Sequence, residues 1–145
     1  MTTTGRSSSY ADFTDALIAD FRAHAGKVTS GPFLGRNLLL LTTTGARSGE
    51  PRLAPLVYTR DGNRIVIVAS KGGAPTNPAW YVNLLANPVV TVELGGETFQ
   101  ARASVAQEGD RGRLYAAHAA EHPAFAEYPK KTSRVIPVVW LDRLG

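Results

Sequence analysis

Two arginines five residues apart, in Gly45-Ala46-Arg47-Ser48-Gly49-Glu50-Pro51-Arg52, are the side chains of this sequence best suited to holding an anion. A guanidinium presents a planar fork of donors that matches phosphate or carboxylate oxygens two at a time, and glycine lets backbone N–H groups come close. A second basic turn, Ser70-Lys71-Gly72-Gly73, closes a later apolar run. Brought together, Arg47, Ser48, Arg52, Ser70 and Lys71 would grip a multiply charged ligand. Taken alone, Arg47 and Arg52 read more readily as solvated surface charges; Ser70-Lys71 and the Asn77-Pro78 helix start shift the reading to an anion site.

Other chemistries find little support. The chain has no cysteine, which removes disulfides, thiolate metal sites and cysteine nucleophiles. His24, His118 and His122 show no metal-ligand pattern, so no metal is expected. Gly-x-Ser-x-Gly, a Walker loop and Gly-x-Gly-x-x-Gly are all missing. Sixteen basic against twelve acidic residues give a net charge of +4, which favours anionic ligands but is too small to imply nucleic acid. A basic barrel reading single strands through its aromatics stays open as a rival, and it would bind with a steep salt dependence.

The elements that must carry these residues follow from periodicity. Phe13, Leu17 and Phe21, with Ile18 beside them, put one apolar face on a helix over Tyr10 to Ala25. Its polar face is acidic, which suits a helix laid across a core better than one resting on a membrane. Met1 to Ser9 is a Thr/Ser/Gly segment expected to be flexible, ahead of one domain over residues 10–145. Asn37 to Thr44 reads as a strand buried on both faces. Leu53 to Arg60 and Arg64 to Ser70, around Asp61-Gly62-Asn63, read as a hairpin, with Pro55 marking an edge or bulge. A short helix is expected after the Lys71 turn, with Asn77 as N-cap, Pro78 at the first position and Asn87-Pro88 as the stop. Its free N–H groups could add to the same anion site, and taken alone they read equally well as ordinary capping with no ligand.

Val89 to Leu94 and Glu97 to Val105 form a second hairpin about Gly95-Gly96; Glu108 to Glu121 is a weaker helix, and Ile136 to Leu141 a last strand. Phe125 and Tyr128 fall in a loop-like segment and are placed to cover a flat ligand. The sum is α+β and mainly β: a small barrel of about six strands with an N-terminal amphipathic helix and short connecting helices. No apolar run approaches the length needed to cross a bilayer, and no secretory signal is evident, so a cytoplasmic location is expected.

The ordered combination of Gly45 to Arg52, Leu56 to Asp61-Gly62, Val68 to Gly73, Asn77-Pro78-Ala79-Trp80-Tyr81-Val82-Asn83-Leu84 and Asn87-Pro88 resembles the deazaflavin-dependent nitroreductase and quinone reductase family of actinobacteria. That resemblance implies a split β-barrel, related to flavin-binding pyridoxamine-oxidase-like proteins, that binds the deazaflavin coenzyme F420. It implies that Ala46, Arg47, Ser48, Arg52, Leu53, Ala54, Pro55, Leu56 and Val57 line the coenzyme's phosphate and head. Val68, Ala69, Ser70 and Lys71, with Ala79, Trp80, Tyr81, Val82 and Asn83, would complete the slot.

Phe125 and Tyr128 would border the substrate, with Tyr128 the catalytic candidate as proton donor or orienting group; some relatives carry tyrosines where His122 and Phe125 stand. The implied reaction passes a hydride from the reduced coenzyme to a quinone, nitroaromatic or activated alkene. The alternatives are an FMN-dependent oxidase or reductase on the same barrel and a non-catalytic deazaflavin carrier. Peripheral membrane contact through the N-terminal helix is a further expectation.

Overall fold

The computed structural model describes residues 8–144, with side chains from Asp12 onward. Seven antiparallel strands make one sheet: β1 (Leu38–Thr44), β2 (Pro51–Val57), β3 (Thr59–Asp61), β4 (Arg64–Val68), β5 (Val89–Leu94), β6 (Glu97–Val105) and β7 (Val138–Arg143), in spatial order β2-β1-β5-β6-β7-β4-β3. Three helices accompany them, α1 (Ser8–Ala23), α2 (Ala79–Ala86) and α3 (Glu108–Glu121).

The expected barrel of about six strands is thus a curled split barrel of seven, because the stretch read as one strand from Leu53 to Arg60 divides at Tyr58. Its first part pairs with β1, Leu38 facing Val57, and its second with β4, Thr59 facing Val66. β2 and β3 are the two outer strands of the sheet and yet adjoin in sequence, so the sheet must curl until its margins approach at Tyr58. The Tyr58 N–H donates to the Asn37 carbonyl at 3.0 Å there. Pro55, with no N–H to give, does sit on an outer strand.

The alternation along the strands sorts the core. Leu39, Leu41, Ile65, Ile67, Val92, Ala101, Val139 and Leu141 face the concave side, where Trp80 and Leu84 of α2 close over them. Val66, Val68, Val138 and Trp140 face outward and are covered by Leu114 and Tyr115 of α3. Leu38 and Leu40 meet Leu17 and Phe21 of α1, which is why β1 is apolar at every position from 38 to 41.

α1 begins two residues before the expected Tyr10, so Ser8 and Ser9 are helical rather than part of a flexible lead; the rest of that expected segment lies outside the described residues. It ends earlier than expected, at Ala23, through left-handed Ala25 and Gly26, with the Gly26 N–H reaching back to the Phe21 carbonyl at 2.8 Å.

Candidate functional site

The loop between β1 and β2 is built by its own small residues. Gly45 donates to the Glu50 carbonyl at 2.8 Å and Gly49 to the Gly45 carbonyl at 2.9 Å, closing a tight ring. A side chain at Gly45 would put its Cβ 2.5 Å from Ser48 Oγ and 3.2 Å from the Glu50 carbonyl, so Ser48 would have to give up its place in the ring. Ser48 Oγ in turn accepts from the Glu50 N–H at 3.1 Å and from the Arg52 guanidinium at 3.3 Å. Asn83, buried in α2, bolts the loop down: its Oδ1 accepts from the Ala46 N–H at 2.9 Å and its Nδ2 donates to Thr43 Oγ1 at 3.1 Å.

These contacts shape a cleft of about 620 Å³ lined by Gly45, Ala46, Arg47, Ser48, Arg52, Leu53, Ala54, Ala79, Trp80, Val82 and Asn83. One wall is cationic and carries no carboxylate; the other is apolar. Arg47 is exposed and has no hydrogen bond or ion pair among the described residues, so its whole fork is open to a ligand.

Of the residues singled out from the sequence, Pro55, Leu56, Val57, Val68, Ala69, Ser70, Lys71, Tyr81, Phe125 and Tyr128 do not line this cleft. Pro55, Leu56 and Val57 lie further along β2, away from the loop. Val68 points outward into the layer under α3, whereas Ala69 joins the concave core. Tyr81 packs beside the concave core, its ring 6.5 Å from that of Trp80. Ser70 is buried, and Lys71 is exposed, with Nζ donating to Thr76 Oγ1 at 3.2 Å.

The two basic turns are therefore not on neighbouring strands. They are joined instead through residues 74–78, which run from the Lys71 turn into α2, where Ala79 and Trp80 reach the cleft. Asn77 does not cap that helix. Pro78 takes the N-cap position with no side-chain bond, and Asn77 Oδ1 is occupied by Arg134 at 2.7 Å.

Phe125 and Tyr128 sit on two short 3-10 turns, Pro123–Ala126 and Tyr128–Lys130, with ring centroids 4.9 Å apart. Tyr115 fixes this segment, its hydroxyl donating to the Phe125 carbonyl at 2.6 Å, and burial raises the Tyr115 pKa. The Tyr128 turn packs against the Lys71 turn: a Cβ on buried Gly73 would lie 3.1 Å from the Tyr128 carbonyl and 3.0 Å from Lys131 Cβ. The Tyr128 hydroxyl makes no hydrogen bond among the described residues.

Beneath Phe125 lies a histidine pair. His118 is fully buried, Nδ1 3.1 Å from Thr59 Oγ1, and burial pushes its pKa down to about 3. His122 Nε2 meets the Tyr58 carbonyl at 3.0 Å, which makes it the protonated nitrogen. Among the described residues no group of three or more His, Asp or Glu gathers as a metal site.

A family model described as F420H(2)-dependent quinone reductase matches residues 17–143. This chain belongs to the F420H(2)-dependent quinone reductase family. Among curated relatives, the F420H(2)-dependent quinone reductase Rv1261c of Mycobacterium tuberculosis (strain ATCC 25618 / H37Rv) is 44% identical over 108 residues, 72% of each chain. A solved F420-H2 dependent reductase (FDR-A) is 38% identical with a TM-score of 0.68, covering 74% of this chain and 95% of that one. Another solved chain, described as a domain-swapped dimer, is 32% identical with a TM-score of 0.69, covering 92% of this chain and 98% of that one.

The residues present fit the family's coenzyme, whose planar head asks for an apolar wall and whose phosphate and carboxylate tail asks for cations. Leu53, Ala54, Trp80 and Val82 supply the first, and Arg47 and Arg52 the second. Arg134 escaped the sequence reading because its acceptors are mostly main-chain carbonyls 60 to 65 positions away. Only the basic Lys130-Lys131-Thr132-Ser133-Arg134 run hinted at it.

Proposed function

We propose that this chain is a reductase that uses reduced coenzyme F420 to convert a quinone to its hydroquinone. The cleft carries the proposal, because it sets a carboxylate-free cationic wall of Arg47, Ser48 and Arg52 against the apolar wall of Leu53, Ala54, Trp80 and Val82. The bound coenzyme supplies the hydride, and the protein supplies orientation and a dry, charged setting. Arg47 and Arg52 bind the anionic tail. Trp80, Leu53 and Val82 press on the planar head and exclude water. The Ser70–Lys71 turn extends the cationic surface towards Tyr128, whose unengaged hydroxyl gives the quinone oxygen its proton, with Phe125 as the neighbouring substrate wall.

The acceptor is expected to be a quinone before a nitroaromatic or an activated alkene. Following loss of the reduced coenzyme's absorbance across a panel of all three tests this, with titration of FMN beside F420. Tighter binding of FMN would overturn the cofactor assignment, and coenzyme binding without oxidation by any acceptor would leave a carrier. Replacing Arg47 and Arg52 together by alanine should weaken coenzyme binding by about 3 kcal/mol, since each charge-assisted bond contributes about 1.5–3 kcal/mol. Unchanged affinity in that double variant would move the anion site elsewhere.

The proposal includes a cytoplasmic enzyme that meets its lipid-soluble acceptor at the membrane face. No helix among the described residues is long and apolar enough to cross a membrane. Among the described side chains of α1, Phe13 is the one exposed large hydrophobic, Leu17 and Phe21 being buried against β1. Co-sedimentation with anionic vesicles, compared between wild type and Phe13→Ser, measures it.

A further inference from the structure

We propose that Arg134 is a positioning residue for the coenzyme, a clamp that straddles the Lys71 turn and holds it beside the start of α2. The inference rests on the reading above, in which Ser70 and Lys71 extend the coenzyme's cationic surface.

The guanidinium spans the turn from both ends. On the incoming side it donates to the Ala69 carbonyl at 3.2 Å and to the Ser70 carbonyl at 2.7 Å. On the outgoing side it donates to the Ala74 carbonyl at 2.8 Å and to Asn77 Oδ1 at 2.7 Å. Between these contacts the chain passes through three successive left-handed residues, Lys71 at φ 50°, Gly72 at 64° and Gly73 at 84°. Lysine is disfavoured there, and such a conformation persists only where the surroundings over-determine it.

Arg134 also differs from the arginines held in ion pairs. Arg22, Arg64, Arg113 and Arg143 each pair with a carboxylate. All four acceptors of Arg134 are neutral, so its charge stays unneutralised beside Lys71. A lysine, a point charge without the planar fork, cannot serve four acceptors on two sides of a turn.

The test compares wild type, Arg134→Lys, Arg134→Ala and Asn77→Ala by coenzyme titration, read from Trp fluorescence, and by steady-state kinetics. Arg134→Lys should raise both the Kd and the KM for the coenzyme about tenfold or more, the scale of one lost charge-assisted bond, with kcat and the quinone KM within about twofold. Added guanidinium ion should recover part of the affinity of Arg134→Ala. Asn77→Ala, which removes one acceptor only, should raise the Kd about threefold and keeps the test alive if the Arg134 variants fold poorly.

The clamp is overturned if wild type binds coenzyme and Arg134→Lys or Asn77→Ala binds it equally well. It is also overturned if the loss falls on kcat and melting temperature while the coenzyme KM stays put, the pattern of a purely structural residue. A wild-type chain that binds no coenzyme sinks the parent reading and this one together.

Discussion

Asn83 lies buried between two groups that depend on it, the Ala46 N–H at the cleft and the Thr43 hydroxyl beneath it. Truncation strands both, and an unsatisfied buried polar group costs about 1–3 kcal/mol. Asn83→Ala should therefore lower stability by about 2–3 kcal/mol in urea titration and loosen the Arg47 loop, raising the coenzyme Kd as well. For Tyr128, change to phenylalanine keeps the ring edge-on against Phe125 and removes only the hydroxyl. Quinone turnover should fall while coenzyme affinity holds, and unaltered turnover would hand the proton to solvent.

At this scale the sequence was informative where residue type alone names the chemistry: Arg47, Ser48 and Arg52 do share one cleft. Where a role depends on long-range partners it was silent. Asn77, a fitting cap by type, is diverted to Arg134, which adjacency along the chain does not foretell.

The elements show how closely they are fitted. α1 ends against the β5–β6 turn, where a Cβ on Gly26 would lie 2.6 Å from the Gly95 Cα, at a φ of +90° that side chains rarely adopt. Arg22 adds a two-pronged bond to Glu93 at 2.8 and 2.9 Å. Gly26→Ala should cost about 3 kcal/mol, combining strain with forced separation of the two elements, and thermal melting is the check. Arg22→Ala should cost no more than about 1 kcal/mol, because that pair is half in solvent.

Hairpins and helices could be read because alternation and 3.6-residue periodicity are local signals. The division at Tyr58 could not, since tyrosine is a good strand former and the breaker in that stretch, Pro55, lies inside β2 rather than at the division. What divides the strand is a change of partner, from β1 to β4, which only the closed sheet imposes.

For the molecule as a whole, His118 ties stability to acidity. Unfolded, its imidazole takes a proton near pH 6.5; folded, burial against Phe125, His122 and Thr59 delays this to about pH 3. The unfolded chain thus binds more protons below pH 6.5, and stability falls as pH drops from there towards 3, while above 6.5 the group has no effect. Between pH 7 and 5 this one residue should remove about 2 kcal/mol. His118→Asn should be less stable than wild type at pH 7 and close that gap at pH 5, as urea midpoints at the two values will show.

The order of the strands carries one more consequence. β1 with β2 and β3 with β4 are early hairpins, but in space β5, β6 and β7 lie between them. During synthesis the first four strands therefore leave the ribosome with the inner sides of both pairs unmatched. The gap is filled only when Val138–Arg143 have emerged. Assembly should accordingly be all or none once Val138–Arg143 are available, and a chain cut just before Val138 should be protease-sensitive throughout rather than half folded.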